Sequence, residues 1–76
     1  MPVNKQYPPQ GVGQRLRRAM WDKDYDSVKL AGEIGMDRKS IYMYLDDYVP
    51  MTITTCVKIC AVLNISPNYL LLGKES

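Results

Sequence analysis

Residues 30–41, LAGEIGMDRKSI, decide the fold. They contain a small residue, Ala31, then a glycine four positions later, Gly35, and a β-branched residue six positions after that, Ile41. A small side chain at Ala31 lets two helices cross closely, and Gly35 permits the positive φ angle of a tight turn. Ile41 then anchors the following helix in the core that the two helices share. The segment therefore predicts two helices joined by a turn at Gly35.

Apolar residues spaced three or four positions apart predict further helices on both sides of this pair. Their starts and ends are indicated by side chains that accept hydrogen bonds from the first amides, or that tolerate a left-handed residue after the last turn. No segment has the alternation of a strand. The sequence predicts an all-α domain of five short helices. The residues that mark helix starts and ends are Asp24, Asp26 or Ser27, Gly35, Asp37, Thr52, Asn64, and Ser66 followed by Pro67.

The two ends of the chain differ from the middle. Residues 1–11 contain three prolines and no helical or strand period, so we expect a flexible N-terminal arm. Residues 12–73 are predicted to form the folded domain, and residues 74–76 a short C-terminal tail.

Composition argues against several function classes. The 76 residues make one small domain. There is no histidine, and Cys56 and Cys60 lack the further ligands of a zinc site, so neither a metal nor a proton shuttle near neutral pH is indicated. Apolar runs fall far short of the roughly 20 residues that span a bilayer, and no signal peptide is recognisable. We expect a cytoplasmic protein that is not an enzyme, binds no cofactor or membrane, and keeps both cysteines in its core.

From about residue 13 to residue 73 the chain resembles the lambda-repressor-like helix-turn-helix family, also called the XRE or Cro/CI type. The spacing of Ala31, Gly35 and Ile41 carries the resemblance, together with the ending ISPNYLLLG at 65–73. The resemblance implies a compact five-helix DNA-binding domain with its helix-turn-helix at helices 2 and 3. It also implies a small phage- or prophage-like, or otherwise bacterial, regulator, a Cro-like repressor that binds a double-stranded operator as a homodimer, without a small-molecule effector.

The same resemblance implies which residues contact DNA, because the family inserts its third helix into the major groove. Arg38 or Lys39 would donate to guanine, and Tyr42 or Met43 would touch a thymine methyl group. Other residues, at the starts of the second, third and fourth helices, would contact phosphates. These phosphate-contacting candidates are Ser27, Ser40, Thr52 and Thr54.

The chain departs from the family in two places. Many members have a buried Arg–Glu ion pair between the first and third helices where this chain has Met20 and Leu45, a replacement that the fold tolerates. The connector after the third helix, usually basic, reads DDYVPM at 46–51. Its aspartates would be repelled by phosphates, so we expect weak binding or binding by a dimer. If they face away, Tyr48 and Val49 of the connector are candidates for a subunit contact. An interface is also indicated by apolar residues expected to be exposed: Tyr48, Val49, Met51 and Leu72.

The alternative function is therefore a protein-interaction module on the same scaffold, of the antirepressor or antitoxin type. The acidic connector and the modest net charge of +2 favour it, whereas Arg38, Lys39 and Ser27 favour DNA. In that alternative the two cations are solvated charges and Ser27 is only a helix cap. The arginines of the first helix cannot all face DNA, and most are expected to form a solvated surface: Arg15, Arg17 and Arg18.

Overall fold

The computed structural model describes residues 6–7 and 11–73. Most of these residues lie in five helices, so the all-α, five-helix prediction is confirmed. Residues 1–5, 8–10 and 74–76, which make up most of the predicted arm and the whole predicted tail, lie outside the described residues. The helices are α1 (Val12–Asp22), α2 (Ser27–Ile34), α3 (Arg38–Leu45), α4 (Ile53–Leu63) and α5 (Pro67–Leu72), and the strands are β1 (Gln6–Tyr7) and β2 (Met51–Thr52).

The two strands form a short antiparallel ladder in which Gln6 pairs with Thr52 and Tyr7 with Met51. The expectation of no strands was wrong, because a two-residue strand is too short to show an alternating pattern. The expected exposure of Met51 was also wrong. Its side chain is 1% exposed, since the connector turns into the core where β2 begins.

Four helices end in the same way. Each is followed by a residue with a φ angle between 55° and 74°, and the next amide donates to a carbonyl five positions earlier, at 2.8–3.1 Å. This is the Schellman motif, which satisfies carbonyls left free in the last turn. Three of these left-handed residues were predicted and one was not. The predicted ones are Asp24, Gly35 and Asn64, and the unpredicted one is Asp47.

Helix starts follow the local chemistry of the sequence. Asp26, Thr52 and Ser66 each accept a hydrogen bond from an amide two or three positions later, at 2.8–3.2 Å. These side chains satisfy amides that have no partner inside the helix. Asp37 precedes α3, but its side chain makes no such bond.

The helices share one core. Ala31 and Ile41, from the segment that defines the turn, are both buried in it. Gly35 stands in open space, so it is required for its φ angle of 74° and not for close packing. The largest fully buried side chains come from all five helices and β2: Leu16, Leu30, Ile41, Met51, Cys56, Ile59, Leu63 and Leu70.

The amino end of α1 meets the carboxyl end of α3. Gly13 is buried there, and a Cβ atom added to it would lie 2.7 Å from the carbonyl oxygen of Tyr44 and closer still to that of Leu45. The partly positive end of one helix therefore faces the partly negative end of another, which is favourable. Only glycine allows the two backbones to come this close.

We predict that Gly13→Ala lowers the free energy of unfolding by about 2–3 kcal/mol, because the added methyl group forces the two helix ends apart. Gly32→Ala is the matched control. Gly32 lies inside α2 with open space around its Cα, so alanine there should stabilise the protein by about 0.5–1 kcal/mol. Urea unfolding followed by circular dichroism measures both changes, and equal effects of the two substitutions would contradict the tight junction.

Candidate nucleic-acid interface

The second helix of the helix-turn-helix, α3, has one buried side and one exposed side. Ile41 and Tyr44 are buried and fix the helix against the core. Arg38 and Lys39, at its amino end, are both exposed. The two cations predicted to read bases therefore stand next to each other on the free end of a helix whose opposite side is anchored.

The other two predicted base contacts lie one turn further along α3. Tyr42 is 47% exposed and, being four residues after Arg38, lies on the same side of the helix. Met43 is only half-buried, and it follows Lys39 by the same spacing. The structure thus brings these four residues together as one surface, in which Met43 is the least exposed of the four.

The predicted phosphate contacts are less uniform. Ser27 is the first residue of α2 and only 9% exposed, while Asp26 provides the cap of that helix. Ser40 is half-buried in the first turn of α3. The hydroxyl oxygen of Thr52 accepts a hydrogen bond from the amide of Thr55 at 3.2 Å, and the hydroxyl oxygens of the two residues lie 3.1 Å apart. The side chain of Thr52 therefore already caps α4.

Thr54 is exposed in the first turn of α4. It therefore presents a side chain to solvent at the amino end of a helix, where the partial positive charge of the backbone favours an anion.

Asp47 has a role that the sequence did not reveal. Its carboxylate accepts a hydrogen bond of 2.7 Å from the amide of Gly13, and a longer one of 3.4 Å from the amide of Gly11. Asp47 is also the left-handed residue that ends α3. One residue therefore ends α3 and caps α1, which has no side-chain cap of its own. Because 34 positions separate the two groups, no local pattern could indicate the bond.

Asp46, its neighbour, points to another group. A carboxylate oxygen lies 3.8 Å from a guanidinium nitrogen of Arg17, and both side chains are well exposed. Such a pair contributes little to stability. Each aspartate of the acidic connector thus faces positive charge within the chain, a helix amino end for Asp47 and a guanidinium for Asp46.

Arg15 differs from the other arginines of α1. Its Nε atom donates to the carbonyl of Leu70 at 2.9 Å and its Nη2 atom to that of Leu71 at 3.0 Å. The guanidinium therefore satisfies the carboxyl end of α5, where a cation is favoured. Arg17 and Arg18 are exposed, in line with the solvated surface expected for most of this cluster.

The connector between α1 and α2 is braced by Tyr25. Its hydroxyl donates to the carboxylate of Glu33 at 2.8 Å, and the ammonium of Lys29 lies 4.4 Å from the centre of its ring. The bond to Glu33 raises the pKa of Tyr25, because only the protonated hydroxyl can donate it. This bracing ties the second half of α2 to the connector that precedes the helix.

Cys56 and Cys60 are free and buried on one side of α4, with their sulfur atoms 3.8 Å apart. Their hydrogen bond and their burial raise the pKa of the Cys60 thiol, so it stays protonated at neutral pH. Among the described residues, no three acidic, histidine or cysteine side chains are grouped as metal ligands. In the same part of the chain, no helix combines the length and apolar character of a membrane span.

Residues 15–71 match the family model of the Cro/C1-type HTH DNA-binding domain. The restriction-modification controller protein C.AhdI from Aeromonas hydrophila has a similar structure, with a TM-score of 0.73 and 27% identity over 78% of this chain and 89% of that one. A chain of a SinR protein/SinI protein complex matches with a TM-score of 0.75 and 26% identity, over 80% of this chain and 60% of that one. No curated protein matches the sequence.

We predict that Asp47→Ala lowers the free energy of unfolding by about 1–2 kcal/mol, the usual cost of losing a helix cap. Asp46→Ala is the matched control at the neighbouring position. It removes the same charge from an exposed pair, and it should change stability by less than about 0.5 kcal/mol. Thermal unfolding of both variants makes the comparison, and equal losses would show that charge, and not capping, is what matters in the connector.

Proposed function

The chain belongs to the family of Cro/C1-type helix-turn-helix DNA-binding domains, and from this premise we propose that it is a sequence-specific transcriptional regulator that reads double-stranded DNA with α3 in the major groove. The observation that carries the proposal is the exposed first turn of α3. Arg38 and Lys39 stand there with no acidic partner within ion-pair distance among the described residues.

The first turn of α3 has suitable chemistry for reading bases. A guanidinium at Arg38 donates two parallel hydrogen bonds to the O6 and N7 atoms of guanine, and Lys39 offers a second cation beside it. Tyr42 and Met43 extend the same surface with apolar groups that suit a thymine methyl. Cations at a helix start are slightly unfavourable for the helix itself, so their presence is better explained by an external anionic partner.

Phosphates would be held on either side of α3 by the starts of α2 and α4. Thr54 is an exposed residue in the first turn of α4, and Ser27 and Ser40 would contribute through smaller exposed surfaces. Thr52 would act mainly by holding the first turn of α4 in shape, since its oxygen caps that helix. These contacts position the protein, while the side chains of α3 provide specificity.

The acidic connector does not oppose this function as strongly as its sequence suggests. The carboxylate of Asp47 is bound to the amides at the start of α1, and that of Asp46 lies near Arg17. Both negative charges are therefore partly balanced within the protein. The acidic connector was one of the two features that favoured a protein-interaction module of the antirepressor or antitoxin type, and the modest net charge of +2 was the other. Because the connector is explained in this way, we propose DNA reading as the function.

With few cations to neutralise phosphates, one domain alone would bind DNA weakly. We therefore propose a homodimer that reads two half-sites, and repression by occupying an operator and excluding polymerase, as a phage-type Cro-like regulator does. C.AhdI, a restriction-modification controller protein, supports a regulatory role. We propose that the protein acts in the cytoplasm, without an effector or cofactor and without an enzymatic step.

We predict that Arg38→Ala and Lys39→Ala each weaken binding to a specific duplex by about 1–3 kcal/mol, or roughly 5- to 150-fold, if they contact base edges. The measurement is fluorescence anisotropy at two salt concentrations, with the DNA upstream of the protein's own gene and a random duplex of equal length. Unchanged protein should prefer the first duplex, and its affinity should fall steeply with salt.

Lys58→Ala provides the control, because Lys58 is an exposed cation of α4 more than a turn from the start of that helix. It should change affinity far less than the substitutions in α3. A full loss with Lys58→Ala, or no binding of either duplex at low salt by the unchanged protein, would overturn the proposal.

A further inference from the structure

Tyr48 stands out from the connector between α3 and α4. It is 77% exposed, whereas residues 47 and 49–53, all of which the structure describes, are buried or half-buried. Val49 packs against the core, and Met51 lies inside it. The Tyr48 hydroxyl makes no hydrogen bond with any residue that the structure describes. The connector therefore presents one large side chain to solvent, and that side chain ends in a hydrogen-bonding group without a partner.

The backbone around Tyr48 fixes where this side chain starts. Asp47 has a φ angle of 55°, and the amide of Tyr48 donates to the carbonyl of Met43 at 2.8 Å. The carboxylates of Asp46 and Asp47 are directed at groups of α1. Tyr48, in contrast, is held by its backbone next to Met43, a residue of the surface proposed to read bases.

Tyr48 lies between the two helices that form most of the proposed DNA interface. On one side is Met43 in α3, and six positions after Tyr48 is Thr54, the exposed residue in the first turn of α4. A duplex that touches both α3 and the start of α4 passes the connector that joins them. Tyr48 is the exposed residue there, so it is placed to contact the same duplex. The inference rests on the proposed function and adds a contact to it.

The length of α3 decides which part of the duplex Tyr48 can reach. The helix has eight residues, so at 1.5 Å per residue it is roughly 12 Å long. The major groove is also about 12 Å wide. When the amino end of α3 meets base edges, a residue beyond its carboxyl end lies at the edge of the groove, where the phosphates are. Tyrosine hydroxyls are among the groups that donate to phosphate oxygens in protein–DNA complexes.

We propose that Tyr48 is a phosphate-contacting residue, and that its hydroxyl donates a hydrogen bond to a phosphate oxygen at the edge of the major groove. The contact brings no charge. It therefore adds affinity without neutralising a phosphate and releasing its counterions, as a lysine or arginine would. Because phosphates are alike at every base pair, the contact strengthens binding to any duplex and provides no direct sequence specificity.

The first test removes the hydroxyl alone. Tyr48→Phe should weaken binding to the duplex from upstream of the protein's own gene and to a random duplex by similar factors, on the order of 10-fold, the usual cost of a lost hydrogen bond to a charged group. The slope of log affinity against log salt concentration should stay the same, since no cation is lost. Fluorescence anisotropy over a series of salt concentrations measures both quantities.

Tyr69→Phe is the matched control, because it removes the same oxygen atom from a half-buried tyrosine of α5. It should leave both affinities unchanged. Arg38→Ala provides the contrast, since it should reduce the preference for the specific duplex and make the salt slope shallower. Circular dichroism of each variant establishes that it is folded.

The second test removes the charge from the other partner. In a series of duplexes, one phosphate at a time is replaced by an uncharged methylphosphonate. At the position that Tyr48 contacts, the unchanged protein should lose affinity, and Tyr48→Phe should lose much less, because the hydrogen bond is already absent. At other positions the effects of the two changes should add, as they do for independent sites.

The proposal is overturned if Tyr48→Phe binds both duplexes as the unchanged protein does, if the loss is confined to the specific duplex, or if the two effects add at every phosphate. A loss that accompanies weaker association of the DNA-free protein in sedimentation equilibrium would also overturn it, and would assign Tyr48 to a subunit contact. All of these results leave the proposed function standing as long as Arg38→Ala weakens binding. Failure of the unchanged protein to bind any duplex would overturn both.

Discussion

The contact between the amino end of α1 and the carboxyl end of α3 is the constraint on which the rest of the structure depends. Gly13 lets the two backbones meet, and Asp47 binds across the junction through a 2.7 Å hydrogen bond to the amide of Gly13. A helix held at its carboxyl end and along its buried side has one free part, its amino end. That is where Arg38 and Lys39 stand, so the junction is what presents them to solvent.

A second contact links α1 to the far end of the domain. Arg15, two residues after Gly13 in α1, binds two carbonyls at the end of α5. At one place the amides of α1 are bound by a carboxylate from the end of α3, and at the other a guanidinium of α1 binds carbonyls at the end of α5. In a chain of this size, with a small core, such bonds between helix ends add order that apolar burial alone does not provide.

The features that could be predicted from the sequence are those with a local cause. The spacing of Ala31, Gly35 and Ile41, and side chains such as Asp26 that cap or end a helix, act within a few residues, and they predict five helices. The bond of Asp47 to Gly13 and that of Arg15 to the end of α5 join residues 34 or more positions apart. They depend on the assembled fold, as do the two-residue ladder and the burial of Met51.

The candidate site likewise combines features that have a local cause with features that depend on the assembled fold. That Arg38 and Lys39 are exposed follows from the spacing of Ile41 in a helix, whereas their role as base contacts is implied by the family resemblance and stays a prediction. The repulsion expected between phosphates and the side chains of Asp46 and Asp47 took only the charge of the aspartates into account. It left out the amides of α1 and the guanidinium of Arg17, which face them. How a carboxylate acts near DNA depends on where it points, and direction is a property of the tertiary structure.

The most direct test of the account is an NMR titration of the uniformly ¹⁵N-labelled protein with a short duplex that it binds. The account predicts that the amide signals of residues 38–43 shift most, that those at the starts of α2 and α4 follow, and that those of the middle of α1 and of α5 stay in place. Shifts centred on α1 or α5, with the first turn of α3 unaffected, would contradict it.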